Sequence, residues 1–247
     1  MVIVRMKILV ISDIHANKYA LDEILNAVSY DFLVFLGDIV DYGPHPAYCL
    51  DVIKESADVI ILGNHDYAVA FNTDCRCGEK LHSVSVYTRE NITKKQLTED
   101  QIKWLKSVSI KKSFEIEGIK FLAVHATPRD PLYEYLLPNE PNEKFYNSLI
   151  DPNTKKLVEA DYVLIGHTHF QFKRKISGIT ILNPGSVGQP RDGDPRASCM
   201  LIDTDTNLVY TIRIKYPVNK TISDIRQLNL EKNYERILVK ILKTGKV

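Results

Sequence analysis

No apolar run in this chain approaches the ~20 residues that a membrane-spanning helix requires. Charge bias is missing too: 32 Lys and Arg stand against 31 Asp and Glu, a formal net charge of +1. Net charge therefore gives no reason to expect a membrane or nucleic-acid partner, although it says nothing about local patches. The four cysteines, Cys49, Cys75, Cys77 and Cys199, lack regular disulfide spacing and read as reduced thiols. Cys75 and Cys77 form the one close pair; with no second pair nearby they read as loop thiols rather than as metal chelators. The opening run Met1 to Ile11 is broken by Arg5 and Lys7 and meets no small-residue cleavage site, so it does not read as a secretory signal. Repeats, low-complexity tracts and clear linkers are also missing. A cytoplasmic protein is expected.

What the chain does have is an ordinary globular composition, 45% apolar and 26% charged, over a length that suits one α/β domain spanning 1–247. Short apolar runs recur at Lys7 to Ile11, Phe32 to Leu36, Val59 to Leu62, Phe121 to Val124, Tyr162 to Ile165 and Thr180 to Leu182. Their apolarity is continuous rather than alternating, which predicts strands buried on both faces. Helix-length segments separate the first three, Tyr19 to Ser29 and Pro46 to Ala57, and predict a βαβαβ start with parallel strands. From Lys80 to Ser107 the pattern is helical, with a cap expected at Thr98. Ser113 to Glu117, Cys199 to Asp203 and Val209 to Tyr216 alternate, as expected of hairpins in a second, more antiparallel sheet. Ile222 to Leu242 reads as one or two amphipathic helices.

The chemistry lies after the strands. Each of five apolar runs leads into metal-ligating residue types: Asp13 and His15; Asp38 after Gly37; Asn64, His65 and Asp66 after Gly63; His125; and His167 and His169 after Gly166. In α/β sheets ligands gather outside the carboxyl ends of strands, so residues far apart in sequence would converge. Turn chemistry alone explains Asp, Asn or Gly at one strand end. It does not explain five of the seven histidines at such positions, nor the glycine before Asp38, Asn64 and His167, which would allow close backbone approach to a bound group. Imidazole and carboxylate without thiolate suit Mn, Fe, Ni or Zn. Asp13, His15, Asp38, Asn64, His125, His167 and His169 are too many for one ion with an open position, but enough for two that share a carboxylate.

These residues resemble the calcineurin-like metallophosphoesterase superfamily, whose five blocks stand here in order as DIH, GDIVDYG, GNHD, VH and GHTH, between Asp13 and His169. The segment from Asn183 to Gly193, NPGSVGQPRDG, resembles the closing segment of small bacterial and archaeal members. The resemblance implies a four-layer α/β/β/α sandwich with two mixed β-sheets. It further implies that Asp13, His15, Asp38 and His169 hold one divalent ion and Asp38, Asn64, His125 and His167 the other. By the same pattern His65 faces the substrate, with Asp66 orienting its ring, and protonates the leaving oxygen or steadies phosphoryl charge.

A hydroxide held between two ions would attack phosphorus in line, in a phosphodiester or phosphomonoester of nucleotide type or another small molecule. Arg129 and Arg191 are candidates for contact with a further phosphate. Tyr67, Tyr133 and Tyr135 could stack on a base but read first as core residues, and His45 and His82 receive no role. Two other functions share these blocks: a protein Ser/Thr phosphatase, disfavoured by the short chain, and a non-catalytic interaction protein, disfavoured by retention of every ligand position. Substrate and oligomeric state, including a homo-oligomer, stay open.

Overall fold

The computed structural model describes residues 6–247; Met1 to Arg5 of the opening run lie outside the described residues. The chain forms β1 (Lys7–Ile11), α1 (Lys18–Ala27), β2 (Phe32–Phe35), α2 (Pro46–Ser56), β3 (Val59–Ile60), α3 (Asn64–Phe71) and α4 (Glu79–Thr88). A π-helical segment, Arg89–Thr93, leads into the short α5 (Lys94–Gln96), and α6 (Glu99–Ser107) follows. Next come β4 (Lys111–Ile116), β5 (Ile119–Val124), α7 (Asn142–Ser148), β6 (Tyr162–Leu164), β7 (Gln171–Ile176), β8 (Ile179–Pro184), β9 (Ala197–Asp203) and β10 (Leu208–Ile214). Two helices, α8 (Val218–Gln227) and α9 (Lys232–Thr244), end the described chain.

Local chemistry accounts for the helix starts. Asn17 accepts the amide of Ala20 to cap α1, and Thr98 and Gln101 cap α6 reciprocally: Gln101 N donates to Thr98 Oγ1 at 3.2 Å and Thr98 N to Gln101 Oε1 at 3.0 Å. Pro46 opens α2, where its missing N–H leaves no bond unmade. In the predicted helical stretch from Lys80 to Ser107, the π-helical segment interrupts the regular helix.

Among the described residues, ten strands make two five-stranded mixed sheets, ordered β10-β9-β1-β2-β3 and β4-β5-β6-β8-β7. The parallel start is present, with β1 beside β2 and β2 beside β3. One expectation is corrected: the hairpin β9–β10 does not join the second sheet but extends the first, where β9 runs antiparallel to β1. Each sheet thus combines two parallel and two antiparallel pairings. The pleat explains the layers. Ile8, Val10, Val34 and Leu36 point from the first sheet towards Phe121, Ala123, Leu164 and Leu182 of the second and form the core between them. Their alternates, Leu9, Ile11, Leu33 and Phe35, meet Leu21, Ile24, Leu50 and Ile53 of α1 and α2. On the far side Leu122, Val124 and Val163 pack with Phe145 of α7 and Leu149. The result is the expected α/β/β/α arrangement. No helix among the described residues is long and apolar enough to cross a membrane.

Candidate metal centre

The segments after β1, β2, β3, β5 and β6 meet at one place, and their backbone is bent to do so. Asp13, His15, Asp38, His167 and His169 all have φ between 46° and 65°, the left-handed region. Non-glycine residues there cost roughly 1–3 kcal/mol each and persist where surrounding bonds hold them. Such bonds are present: Asp13 N donates to Gly37 O at 2.9 Å, His15 N to Asp38 O at 3.1 Å, and Ala16 N to Ile39 O at 2.7 Å, lacing the loop after β1 to the loop after β2. Two glycines make room. A Cβ on Gly63 would stand 2.0 Å from Asp38 Oδ1, and one on Gly166 would stand 2.0 Å from Ser12 Oγ and 2.9 Å from Asp13 Oδ2. Close approach is therefore required here by neighbouring side chains, including two carboxylates of the site.

All seven expected ligands come together and are buried. Asp13 Oδ1 is 3.2 Å from His169 Nε2 and 3.9 Å from His15 Nε2, and those two ring nitrogens are 3.2 Å apart. Asp38 Oδ2 is 3.8 Å from His15 Nε2 and 3.2 Å from His125 Nε2. Asn64 Oδ1 is 3.1 Å from both His125 Nε2 and His167 Nδ1. Donors held ~2.1 Å from one ion stand ~3.0 Å apart at the corners of an octahedron and ~3.4 Å apart in a tetrahedron. The spacings of 3.1–3.2 Å match donors that could share an ion, whereas those from His15 Nε2 to the two carboxylates, 3.8 and 3.9 Å, are wider.

Tautomers sharpen the case. His15 Nδ1 lies 2.9 Å from Val40 O, His125 Nδ1 2.7 Å from Leu36 O and His169 Nδ1 2.6 Å from Gln189 O. Each Nδ1 donates to its carbonyl, so the neutral His15 and His169 rings direct a bare Nε2 lone pair into the cage. Burial lowers His125, but Asp38, 3.2 Å from its Nε2, outweighs it and raises that imidazole to about 9. The His15 and His169 nitrogens then face each other lone pair to lone pair, a geometry that suits a bound cation. A proton does not serve: burial drives His15 down to about 3 and holds His169 well below the ordinary imidazole value. Two further atoms, Asp13 Oδ1 and His167 Nε2, are buried without a hydrogen-bond partner among the described residues. Burial raises Asp13 to about 6. Burial would raise Asp38 as well, but His125, His65 and His15 hold it well below the usual carboxylate range.

The calcineurin-like phosphoesterase superfamily domain, as a sequence family, matches residues 6–207. The chain belongs to the calcineurin-like phosphoesterase superfamily. An uncharacterised protein of Methanocaldococcus jannaschii is 30% identical over 241 residues, which cover 90% of this phosphoesterase-family chain and 93% of that protein. The phosphodiesterase YfcE of Escherichia coli is 26% identical over 204 residues, 81% of this chain and 89% of that one. Among solved structures, a metallophosphoesterase from Sphaerobacter thermophilus is 30% identical with a TM-score of 0.78 over 98% of this chain and 100% of that one. A hypothetical protein from Pyrococcus horikoshii OT3, 20% identical, shares the fold with a TM-score of 0.81 over 98% and 99% of the two chains.

The expected partner of His65 in this calcineurin-like site is corrected. Its Nδ1 lies 2.9 Å from Asp41 Oδ2, not beside Asp66. The Asp66 carboxylate is instead taken up by backbone amides, those of Asp38 at 2.7 Å, Ile39 at 2.9 Å, Val40 at 3.2 Å and Gly63 at 3.2 Å. At the N3 position of α3 it takes up the N-cap amide of Gly63, which the helix leaves unpaired, and through the other three amides it shapes the loop that carries Asp38. Asp41 is anchored by Arg89 Nη2 at 2.9 Å and by Thr93 Oγ1 at 3.0 Å, the first and last residues of the π-helical segment. Burial raises Asp41, yet His65 and Arg89 hold it below its ordinary value. Burial lowers His65, but Asp38 and Asp41 outweigh it and raise the imidazole. Sequence reasoning missed the Asp41 role although the residue stands within the GDIVDYG block, because nothing local says which carboxylate faces the ring.

The two arginines separate. Arg129 is not brought to the cage but is paired with Glu134 through its guanidinium. Arg191 bonds Gln189 Oε1 at 2.6 Å and lies 5.7 Å from the ring of Tyr42, which packs edge-on against His15. Among the described residues it has no carboxylate partner, and its charge depresses His15, His167 and His169. Tyr135 stands with its ring centroid 4.1 Å from that of His167, whereas Tyr67 packs on Phe71 and Tyr133 lies under Arg76. His45 pairs with Asp224 and His82 with Asp74.

Proposed function

We propose that this chain hydrolyses a small-molecule phosphodiester or phosphomonoester with the help of two divalent cations. The observation that carries the reading is the facing pair of His15 and His169 Nε2 atoms, 3.2 Å apart with both Nδ1 atoms committed to carbonyls. Asp13, His15, Asp38 and His169 would hold one ion, and Asp38, Asn64, His125 and His167 the other. Bound there, the ions would supply Lewis acidity to phosphoryl oxygens and make water a nucleophile near neutral pH. The oxygen and nitrogen donor set suits Mn, Fe, Ni or Zn, with supply choosing among them.

The remaining work falls to side chains. His65, with Nε2 4.0 Å from Asp38 Oδ2, stands at the edge of the cage, and its raised pKa keeps a proton available for the leaving oxygen. Asp41 fixes the tautomer and direction of that ring. Arg191, with no carboxylate partner among the described residues, offers its guanidinium to a phosphoryl oxygen as the ester enters. We read the whole of 1–247 as a single domain in the cytoplasm.

The test is elemental analysis of the purified protein together with hydrolysis of bis-p-nitrophenyl phosphate and p-nitrophenyl phosphate in the presence of Mn. Two equivalents of metal and chelator-sensitive hydrolysis are expected. A protein that takes up no divalent metal, or cleaves neither ester with any of the four metals, overturns the proposal.

A further inference from the structure

Between α3 and α4 lies a loop that the hydrolytic reading does not use, and it carries two buried thiols, Cys75 and Cys77. Their sulfurs are 2.8 Å apart. Thiolates sharing one zinc ion at ~2.3 Å would stand ~3.8 Å from each other in a tetrahedral site. The spacing therefore suits a bond between the sulfurs better than an ion between them. The approach is built into the backbone: Arg76, between the two, has φ 49°, and the Asp74 carboxylate accepts its amide at 2.8 Å. That turn sets both thiols on one side, while the Arg76 guanidinium lies 4.8 Å from the ring of Tyr133.

The loop touches the candidate centre at two points. Asn64 Nδ2 donates to the carbonyl of Cys75 at 2.7 Å, a bond that aims Asn64 Oδ1 at His125 and His167. Cys75 Sγ is 3.3 Å from Ser85 Oγ, and that hydroxyl is 3.1 Å from His65 Nδ1 and 3.0 Å from Arg89 Nη2. On the other side Tyr42, whose ring lies 5.1 Å from that of His65, brings its hydroxyl to 3.8 Å from Cys77 Sγ. Any change in the sulfur pair is thus transmitted to one expected ligand and to the residue that faces the substrate.

We propose that Cys75 and Cys77 are a redox pair, and that their oxidation to a disulfide lowers turnover by displacing the supports of Asn64 and His65. The turnover clause rests on the hydrolytic reading above; formation of the bridge does not. With hydrogen peroxide as oxidant, the Cys75 sulfur attacks one peroxide oxygen, the O–O bond breaks, and the departing oxygen takes the Cys75 proton and leaves as water. The Cys77 sulfur then attacks the resulting sulfenic sulfur, the S–O bond breaks, and the hydroxide leaves with the Cys77 proton as a second water. One peroxide is reduced and two thiols are oxidised. Closing the sulfurs to the ~2.05 Å of a bond shifts the loop by less than 1 Å, and misplacement on that scale is enough to reduce catalysis by one or two orders of magnitude.

The experiment treats the full-length, Mn-loaded protein with a small excess of hydrogen peroxide, alkylates it under denaturing conditions and measures its intact mass and peptide map. Alkylation is expected to fall from four cysteines to two, with the loss confined to the Cys75 and Cys77 peptide. Turnover of bis-p-nitrophenyl phosphate should drop about tenfold, and dithiothreitol should restore both. Cys77→Ser, with Cys77→Ala as a second variant, should keep basal turnover and lose the peroxide response. The proposal is overturned if all four cysteines remain alkylatable, if the bridge forms with turnover unchanged, or if the variants lose activity to peroxide as the parent does. A bridge that forms in a protein without basal hydrolysis sinks the hydrolytic reading and the turnover clause with it, but leaves the redox pair standing.

Discussion

His65 is held from behind by a carboxylate that is itself held by Arg89 and Thr93, so the direction of the ring is set several residues deep. Asp41→Asn should preserve metal content, because Asp41 touches no expected ligand atom, while lowering kcat by about 10²-fold or less, at the low end of what acid–base groups contribute. The sign of its pH effect follows from the charges. Burial lowers the His65 pKa, but Asp38 and Asp41 raise it above the ordinary value, so the ring keeps its proton to higher pH. Removing the Asp41 charge lets that proton go earlier as pH rises, and the alkaline limb of the pH–rate profile should move to lower pH. A limb that stays in place would show that Asp41 does not tune His65. His65→Ala should retain the metal content of the parent protein and lose about 10²- to 10⁴-fold in turnover; metal loss measured on that variant would make His65 a ligand.

At the level of elements, glycine spacing carries a prediction of its own. Gly63 precedes α3 and lies against Asp38, where an added Cβ would meet Oδ1 at 2.0 Å and Cγ at 2.6 Å. Gly63→Ala should therefore destabilise the fold by about 1–3 kcal/mol, the usual range for overpacking, and weaken metal uptake at the same time. Urea unfolding and metal titration would check the two effects separately. The apolar runs and caps were readable because they are local: β1 begins and ends where its apolar run does, and Thr98 caps α6 as its neighbours require. The assignment of β9 and β10 was not, because alternation identifies a half-buried strand without naming the sheet it joins. Pairing of β9 with β1 links residues almost two hundred positions apart, and no local pattern encodes that choice.

The whole molecule places two buried carboxylates and the facing Nε2 atoms of His15 and His169 at the junction of two sheets, an arrangement that a bound cation would stabilise. Adding divalent metal to chelator-treated protein should accordingly raise the thermal midpoint, by the equivalent of ~2.7 kcal/mol at a hundredfold excess over Kd for one site. A midpoint that does not respond to Mn, Zn, Ni or Fe would show that the cage is satisfied without them. The sequence by itself determined the residue types, the order of the five blocks and the apolar strands before them, since each lies within a few neighbours of the next. Only the tertiary structure decided that Asp41 rather than Asp66 meets His65, that Arg129 is spent on Glu134 while Arg191 is not, and that two loop thiols lie against the same centre. The physical reason is direction. Where a side chain points after a left-handed turn depends on the bonds that hold the turn, and those bonds come from strands and helices distant in sequence.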